Sequence, residues 1–375
     1  MSKHLQPAAH KPSVSKSHHP IMTARKQPIT IFTPSFADEN NTNAQNLTVK
    51  EIVSRLPPEL FRVIMLSSAN PDPRIASREN TKCFRYLRHG NSAHLLLRSV
   101  LCQPDIYFYP REGPLDRAWF ALGRRLPRKI RFVTHVVSSV GEIDEKNAFA
   151  RSILQADAVF ANSRFVAETI RQRFAVDAGT IYNGIDRRFF FPGSHRETDF
   201  PIRVLYAGSL QSHKRPEVVI QAAAKFPDMM FRIAGKGNHE AHCRNLVLEL
   251  GCHNVEFLGH LSLAHLGEEM RQADVFLFPS VNEGHPQVLG QAAACGLPAI
   301  AMKSYQPEYV LDGQTGFLLN SDDELTSKLK LLLGNRGLRR AMGDAAIQHS
   351  KKFDWDQIVE QWITVFMQIM SQSAN

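Results

Sequence analysis

The chain has 375 residues, 43% hydrophobic and 22% charged, with a formal net charge of +9; that length exceeds one ordinary core and predicts two domains of roughly 150–200 residues. No apolar run approaches the roughly 20 residues that a bilayer span needs, which excludes a membrane-crossing helix, and five cysteines without C-x-x-C spacing read as reduced thiols, neither a disulfide framework nor a zinc site. The positive charge is local: residues 1–27 hold five basic residues and no acid, the window 111–131 holds seven basic and two acidic residues, and the remainder is nearly neutral.

Residues 1–27, rich in Pro, Ser, Lys and His without periodicity, read as a disordered basic tail. The opening "MSKHLQPAAHKPSVSKSHHP" lacks the apolar centre of a secretory leader, so a cytoplasmic location is expected. From Pro28 short apolar strands alternate with helical patterns: "ITIFT" at 29–33, "FRVIML" at 61–66, "DIYFY" at 105–109, "RFVTHVV" at 131–137, "AVFAN" at 158–162 and "TIYN" at 180–183. The stretch "DRRFFFPGSHRETDFP" breaks the rhythm and reads as a linker. It restarts with "IRVLYAG" at 202–208, "MFRIAG" at 230–235, "VEFLG" at 255–259, "VFLFP" at 275–279, "PAIAM" at 298–302 and "GFLL" at 316–319. Strands this apolar, interleaved with helices, predict parallel sheets covered on both faces, hence α/β architecture with two doubly wound, Rossmann-like domains in tandem. Ligands of such sheets sit beyond the carboxyl ends of the strands.

The segment "VFLFPSVNEGHPQVLGQAAACGLPAIA" (275–301) concentrates the chemistry. Asn282 and Glu283 follow a strand, and Pro286 suits the first turn of a helix. The unpaired N–H groups of that turn, with the helix dipole, form an anion site. Glu283 cannot hold an anion, but it can accept hydrogen bonds from hydroxyls beside one, and an anion with adjacent hydroxyls describes a nucleotide-sugar. A capping acid on a core helix is the other reading of this stretch alone.

The segment resembles the donor-site motif of the family 4 (group 1) retaining glycosyltransferases, E-G-x-P-x-x-x-x-E-A-x-A-x-G-x-P. The similarity continues in register through "ADAVFANSRFVAETIRQRF", "IYNGID" (181–186), "YAGSLQSHKRPEVVIQAAAKF", "YQPEYVLDGQTGFLL" and "FDWDQIVEQW". It covers residues 131–362 well and 28–130 loosely. The resemblance implies the GT-B fold, two Rossmann-like domains facing a cleft. An acceptor-side domain would span 28–188 and a nucleotide-sugar domain 189–352, with a terminal helix over 353–375 returning to the first domain. It further implies that Glu283 contacts the donor sugar and that backbone N–H groups at Gly284 and His285 help hold sugar and diphosphate. Lys214 would neutralise the departing diphosphate, and His135, after its strand, would stand on the acceptor side of the cleft. Asn183 and Gly184 would shape the turn at the domain boundary.

Departures from the family pattern fall on donor contacts. The family's second Glu is Gln291, the Arg partnering the phosphate Lys is Ser209, and two Gly-Gly pairs are Asn43-Ala44 and Ser304-Tyr305. Each removes a contact or adds bulk near the phosphate. Gln291 keeps an acceptor and a donor for ribose hydroxyls.

The basic window reads as a helix over 114–126 with Leu115, Trp119, Leu122 and Leu126 on one face and Arg117, Arg124 and Arg125 around it. Two readings stand: docking on an anionic membrane surface, or a core-facing helix with a solvated rim. No nucleic-acid module is present in the pattern, so no nucleic-acid partner is expected. Asp354 in "DWD" reads as an N-cap, not a metal ligand, and no metal site or cofactor is expected.

The expected activity is transfer of a sugar from a nucleotide-diphosphate sugar to a hydroxyl of a glycan or lipid-linked glycan, with retention of configuration. The alternative is a catalytically silent binding subunit, for which Gln291, Ser209 and Tyr305 speak.

Overall fold

The computed structural model describes residues 27–39, 44–86, 92–109, 113–123, 125–126, 129–138, 148–193 and 201–372. The predicted basic tail, apart from Gln27, and Asn43, Arg124 and Arg128 lie outside these.

The first domain runs β1 (Ile29–Phe36), α1 (Ala44–Arg55), β2 (Phe61–Ser67), α2 (Pro73–Ala76), β3 (Thr81–Arg85), α3 (Ser92–Leu101) and β4 (Ile106–Phe108). It continues through α4 (Pro114–Gly123), β5 (Arg131–Val136), α5 (Ala148–Leu154), β6 (Ala158–Ala161), α6 (Arg164–Phe174) and β7 (Ala178–Thr180). The second domain runs β8 (Arg203–Ala207), α7 (Pro216–Lys225), β9 (Met230–Ala234), α8 (Glu240–Glu249), β10 (Val255–Gly259), α9 (Leu263–Gln272) and β11 (Val275–Phe278). It closes with α10 (Gln287–Ala294), β12 (Ala299–Met302), β13 (Gly316–Leu319), α11 (Asp323–Gly334) and α12 (Arg336–Ser350); α13 (Trp355–Ser371) follows.

Both sheets are parallel and doubly wound, ordered β3-β2-β1-β4-β5-β6-β7 and β10-β9-β8-β11-β12-β13. The order reverses between β1 and β4 in one sheet and between β8 and β11 in the other, and a crevice opens at such a switch point. Strands buried on both faces are continuous apolar runs, as in "VFLF" of β11, whose four residues are all buried. Side-chain caps start several helices: Ser163 accepts from the Val166 N–H, Ser262 from that of His265 and Asn335 from that of Leu338. Helix α13 leaves the second domain and packs Trp362, Ile363 and Phe366 against Phe61, Phe108 and Val133 of the first.

Three expectations change. The last strand of the first sheet is Ala178–Thr180, not 180–183; Ile181 lies past it and is buried in the cluster that includes α13. Helix α4 stops at Gly123, and its apolar face is core: Trp119 is 0% exposed, packed with Phe32, Tyr107 and Phe132, and its Nε1 donates to Ser99 Oγ at 3.0 Å. That face is closed to a membrane. Asp354 occupies the N-cap position of α13, but its carboxylate takes Arg187 as partner and makes no side-chain cap bond.

Candidate active site in the interdomain cleft

A cavity of about 1030 Å³ lies between the domains, lined by Val137, Ser138 and Asn183 on one side and by loops following β8, β9, β10 and β11 on the other. It spans the β8/β11 switch point. The chain leaving β11 reaches Glu283, whose Oε1 accepts from Ser280 Oγ at 2.7 Å and from Lys214 Nζ. Lys214 comes from the short turn after β8, so the two groups, 69 residues apart, meet as an ion pair at the cavity wall. Both side chains are largely buried. With Pro286 as N-cap of α10, the N–H groups of Gln287 and Val288 have no intrahelical acceptor, and both residues line the cavity. The cleft thus combines a helix N-terminus, a cation and a carboxylate within one loop cluster, the donor set for an anion flanked by hydroxyls.

Gly284 presses its backbone on the first domain. A Cβ there would stand 3.1 Å from the Ser138 carbonyl carbon and 3.2 Å from the Val137 oxygen. Its carbonyl accepts from Ser163 Oγ at 3.2 Å. His285 also lines the cavity, and its ring is buried and stacks on Tyr309 at 3.9 Å and 25°. Burial, then the nearby Lys352 and His135, push its pKa down to about 3, so the ring is neutral at neutral pH. Beside it Glu308 joins the domains, accepting from Arg164 Nε at 2.8 Å and Tyr182 Oη at 3.1 Å.

His135 does not reach the cleft. It sits within β5, and the period-two alternation sends it, with Val133, to the face covered by α13. There its Nε2–H donates to the Ile181 carbonyl at 2.9 Å and its ring meets Trp362 edge-on at 5.1 Å. Burial lowers its pKa to about 4. Val137 and Ser138, just beyond, form the cavity wall instead.

Ser209 and Gln291 both line the cavity. Ser209 offers its carbonyl to Tyr206 Oη at 3.2 Å, and Gln291 Oε1 is buried without a hydrogen-bond partner among the described residues. Tyr305, expected to add bulk near the phosphate, does not line the cavity; it is 1% exposed and belongs to the core cluster of the second domain. Burial and the Glu283 carboxylate hold its hydroxyl well above the ordinary tyrosine range.

The motif reading missed Lys236, His260, Leu261, Leu263 and Leu266, all of which line the cavity. The available signal was positional: each follows a strand of a doubly wound sheet.

Two family models match the chain. "Glycosyltransferase Family 4" covers residues 23–189 and "Glycosyl transferases group 1" covers 188–349. An uncharacterized glycosyltransferase of Methanocaldococcus jannaschii is 27% identical over 214 residues, 56% of this chain and 59% of its own length. The D-inositol 3-phosphate glycosyltransferase of Corynebacterium diphtheriae is 31% identical over 210 residues, 50% of this chain and 49% of that protein. These matches span about half the length of the curated relatives. Among solved structures, sucrose-phosphate synthase from Thermosynechococcus elongatus superposes with a TM-score of 0.74 at 19% identity, covering 92% of this chain and 100% of that one. Anabaena HepE in complex with UDP and glucose gives 0.71 at 17% identity, covering 90% and 99%. The two matches meet at the boundary between the two sheets, and the chain belongs to the group 1, family 4 glycosyltransferases of the GT-B fold.

Proposed function

We propose that the protein transfers a sugar from a nucleotide-diphosphate sugar to a hydroxyl of a glycan or lipid-linked glycan, with retention of configuration. The observation that carries this reading is the Lys214–Glu283 pair beside the N-terminus of α10. In this scheme the arriving diphosphate takes Lys214 from Glu283 and lies on the N–H groups of Gln287 and Val288. Those groups then stabilise the charge that develops on the leaving phosphate. Glu283, released, accepts hydrogen bonds from the sugar hydroxyls, and the acceptor enters past Val137 and Ser138. The departing phosphate takes the proton of the incoming hydroxyl on the same face, which gives retention. Protein groups meet the diphosphate charge, so the scheme calls for no metal, and turnover with a chelator present tests that point.

The test is release of nucleoside diphosphate from a panel of nucleotide-sugars, comparing the wild type with Glu283→Gln. The expected result is a fall of about a hundredfold in turnover, the scale for removing one group aimed at transition-state charge, with an unchanged melting temperature. Turnover within twofold of wild type overturns the assignment. A second reading, a binding subunit without turnover, rests on Ser209 and Gln291, which bring no charge to the cleft; it predicts nucleotide binding without release of product from any donor.

We also propose that the first domain docks on an anionic membrane surface. With Trp119 in the core, the contact falls to the exposed Arg117, Arg125 and Lys129 and to Leu97 and Leu101 on the neighbouring α3, which are 58% and 71% exposed.

A further inference from the structure

We infer that Lys236 reads the base of the donor, and that the donor carries a base with exocyclic carbonyl oxygens, of the uracil or guanine type, in preference to adenine. The inference rests on the donor-site reading above and adds the identity of the base to it.

The order of the second sheet lays the cleft out in a line. Glu283 and α10 follow β11, Lys214 and Ser209 follow β8, Lys236 follows β9, and His260, Leu261 and Leu263 follow β10. At a strand spacing of about 4.8 Å, three intervals place the β10 loop roughly 14 Å from the β11 loop. A donor with its sugar at Glu283 and its diphosphate at Lys214 therefore reaches the β9 and β10 loops with its base.

The wall at that end suits a planar ring. Leu261, Leu263 and Leu266 line it, and Leu263 stays 39% exposed. Pockets of this kind pair apolar walls with a few polar groups that fix orientation. The polar side chains here are His260 and Lys236. Lys236 is exposed and its side chain makes no hydrogen bond or ion pair among the described residues, in contrast to Lys214, which Glu283 holds. Its backbone is anchored: the Leu210 N–H donates to the Lys236 carbonyl at 3.0 Å, and the Gly235 N–H donates to the Gly259 carbonyl at 2.7 Å. The side chain crosses the end of β10, with Cε 3.5 Å from where a Cβ on Gly259 would stand, an ordinary contact distance.

An ammonium group has three donors and no acceptor. Uracil offers the O4 oxygen and guanine the O6 and N7 pair, whereas adenine places an amino donor beside N7. On the first two bases the amine meets an exocyclic carbonyl oxygen; on the third the exocyclic group is itself a donor and leaves only ring nitrogens such as N7 as acceptors.

The test is titration calorimetry of wild type, Lys236→Met and Lys236→Arg with UDP, GDP and ADP. The expected wild type binds UDP or GDP at least tenfold tighter than ADP. Lys236→Met is expected to bring that ligand down to the ADP level while ADP changes less than twofold, and Lys236→Arg to keep the preference. An equal loss for all three ligands overturns the inference, because it places the amine on the diphosphate. A preference unchanged in Lys236→Met overturns it too. Lys214→Met separates the two levels: it is expected to weaken all three ligands alike. A wild type that binds none of them overturns the donor-site reading and this inference together.

Discussion

Ser163 donates its hydroxyl to the carbonyl of Gly284 at 3.2 Å, joining residues 121 positions apart. The same oxygen accepts from the Val166 N–H at 3.1 Å as the N-cap of α6. One side chain therefore starts a helix of the first domain and seats the Glu283 loop of the second.

Ser163→Ala removes both bonds at once. Loss of an N-cap costs about 1–2 kcal/mol, and release of the Gly284 loop raises the KM for the donor. Chemical denaturation and steady-state kinetics read the two effects, and a stability loss with unchanged KM shows that the interdomain bond does not position the loop.

Stability falls on the acid side because His135 and His285 are buried neutral, with pKa values of about 4 and about 3. Both values lie below the unfolded value of about 6.5. The unfolded chain therefore binds more protons between the two limits. Each ring's contribution is complete above about pH 6.5 and is lost as pH falls, at up to about 1.4 kcal/mol per pH unit. His285→Phe keeps the stack on Tyr309 and halves the part of the slope that the two rings supply. Denaturation midpoints at pH 7, 6 and 5 for both proteins check this; parallel curves exclude His285 as a source.

Trp119 and the arginines near it separate by assay. Trp119→Ala opens a cavity in the first core and costs about 3–5 kcal/mol, read as a drop in melting temperature. Replacing Arg117, Arg125 and Lys129 by Ser leaves stability within about 0.5 kcal/mol and weakens sedimentation with anionic vesicles at low salt. Equal sedimentation of this variant and wild type removes the membrane proposal.

Gln291→Glu places a charge where Gln291 Oε1 is already buried and unpartnered among the described residues. The empty protein loses stability, because a desolvated carboxylate costs more than an amide. A nucleoside diphosphate binds more tightly by about 1 kcal/mol, roughly fivefold, through charge-assisted bonds to the ribose. The gain disappears with a dideoxyribose ligand, and calorimetry with both ligands decides.

Strands that lie inside both sheets were legible because burial on two faces writes an unbroken apolar run; β11 and β12 are examples. Of the edge strands, β10 and β13 still carried enough apolar residues to be read, but β3 did not. β3 reads "TKCFR", with two of its five residues exposed, and carries no such run. The site was legible where a local motif ties the loop to a helix start, as at Glu283 and Pro286. It was illegible where tertiary contacts decide. The pattern around Trp119 shows a stripe but not what covers it. The face of β5 that holds His135 becomes core only because α13, more than 200 residues later, lies on it. Lys236 was passed over because a lone lysine after a strand has no pattern of its own.

The two stretches of chain that cross between the domains run side by side. The Ile185 N–H donates to the Phe353 carbonyl at 2.8 Å, Ile185 bridges to Asp354, and Arg187 pairs with Asp354. A body held by two adjacent tethers loses most of its freedom to slide or spin and keeps a swing about the line they share. Any opening of the cleft is therefore confined to one arc, along which closure would bring Gly284 back to its seat on Val137 and Ser138. How repeatably the two walls of the cleft meet is then a property of the covalent path, crossing twice, more than of the strength of any bond between the domains.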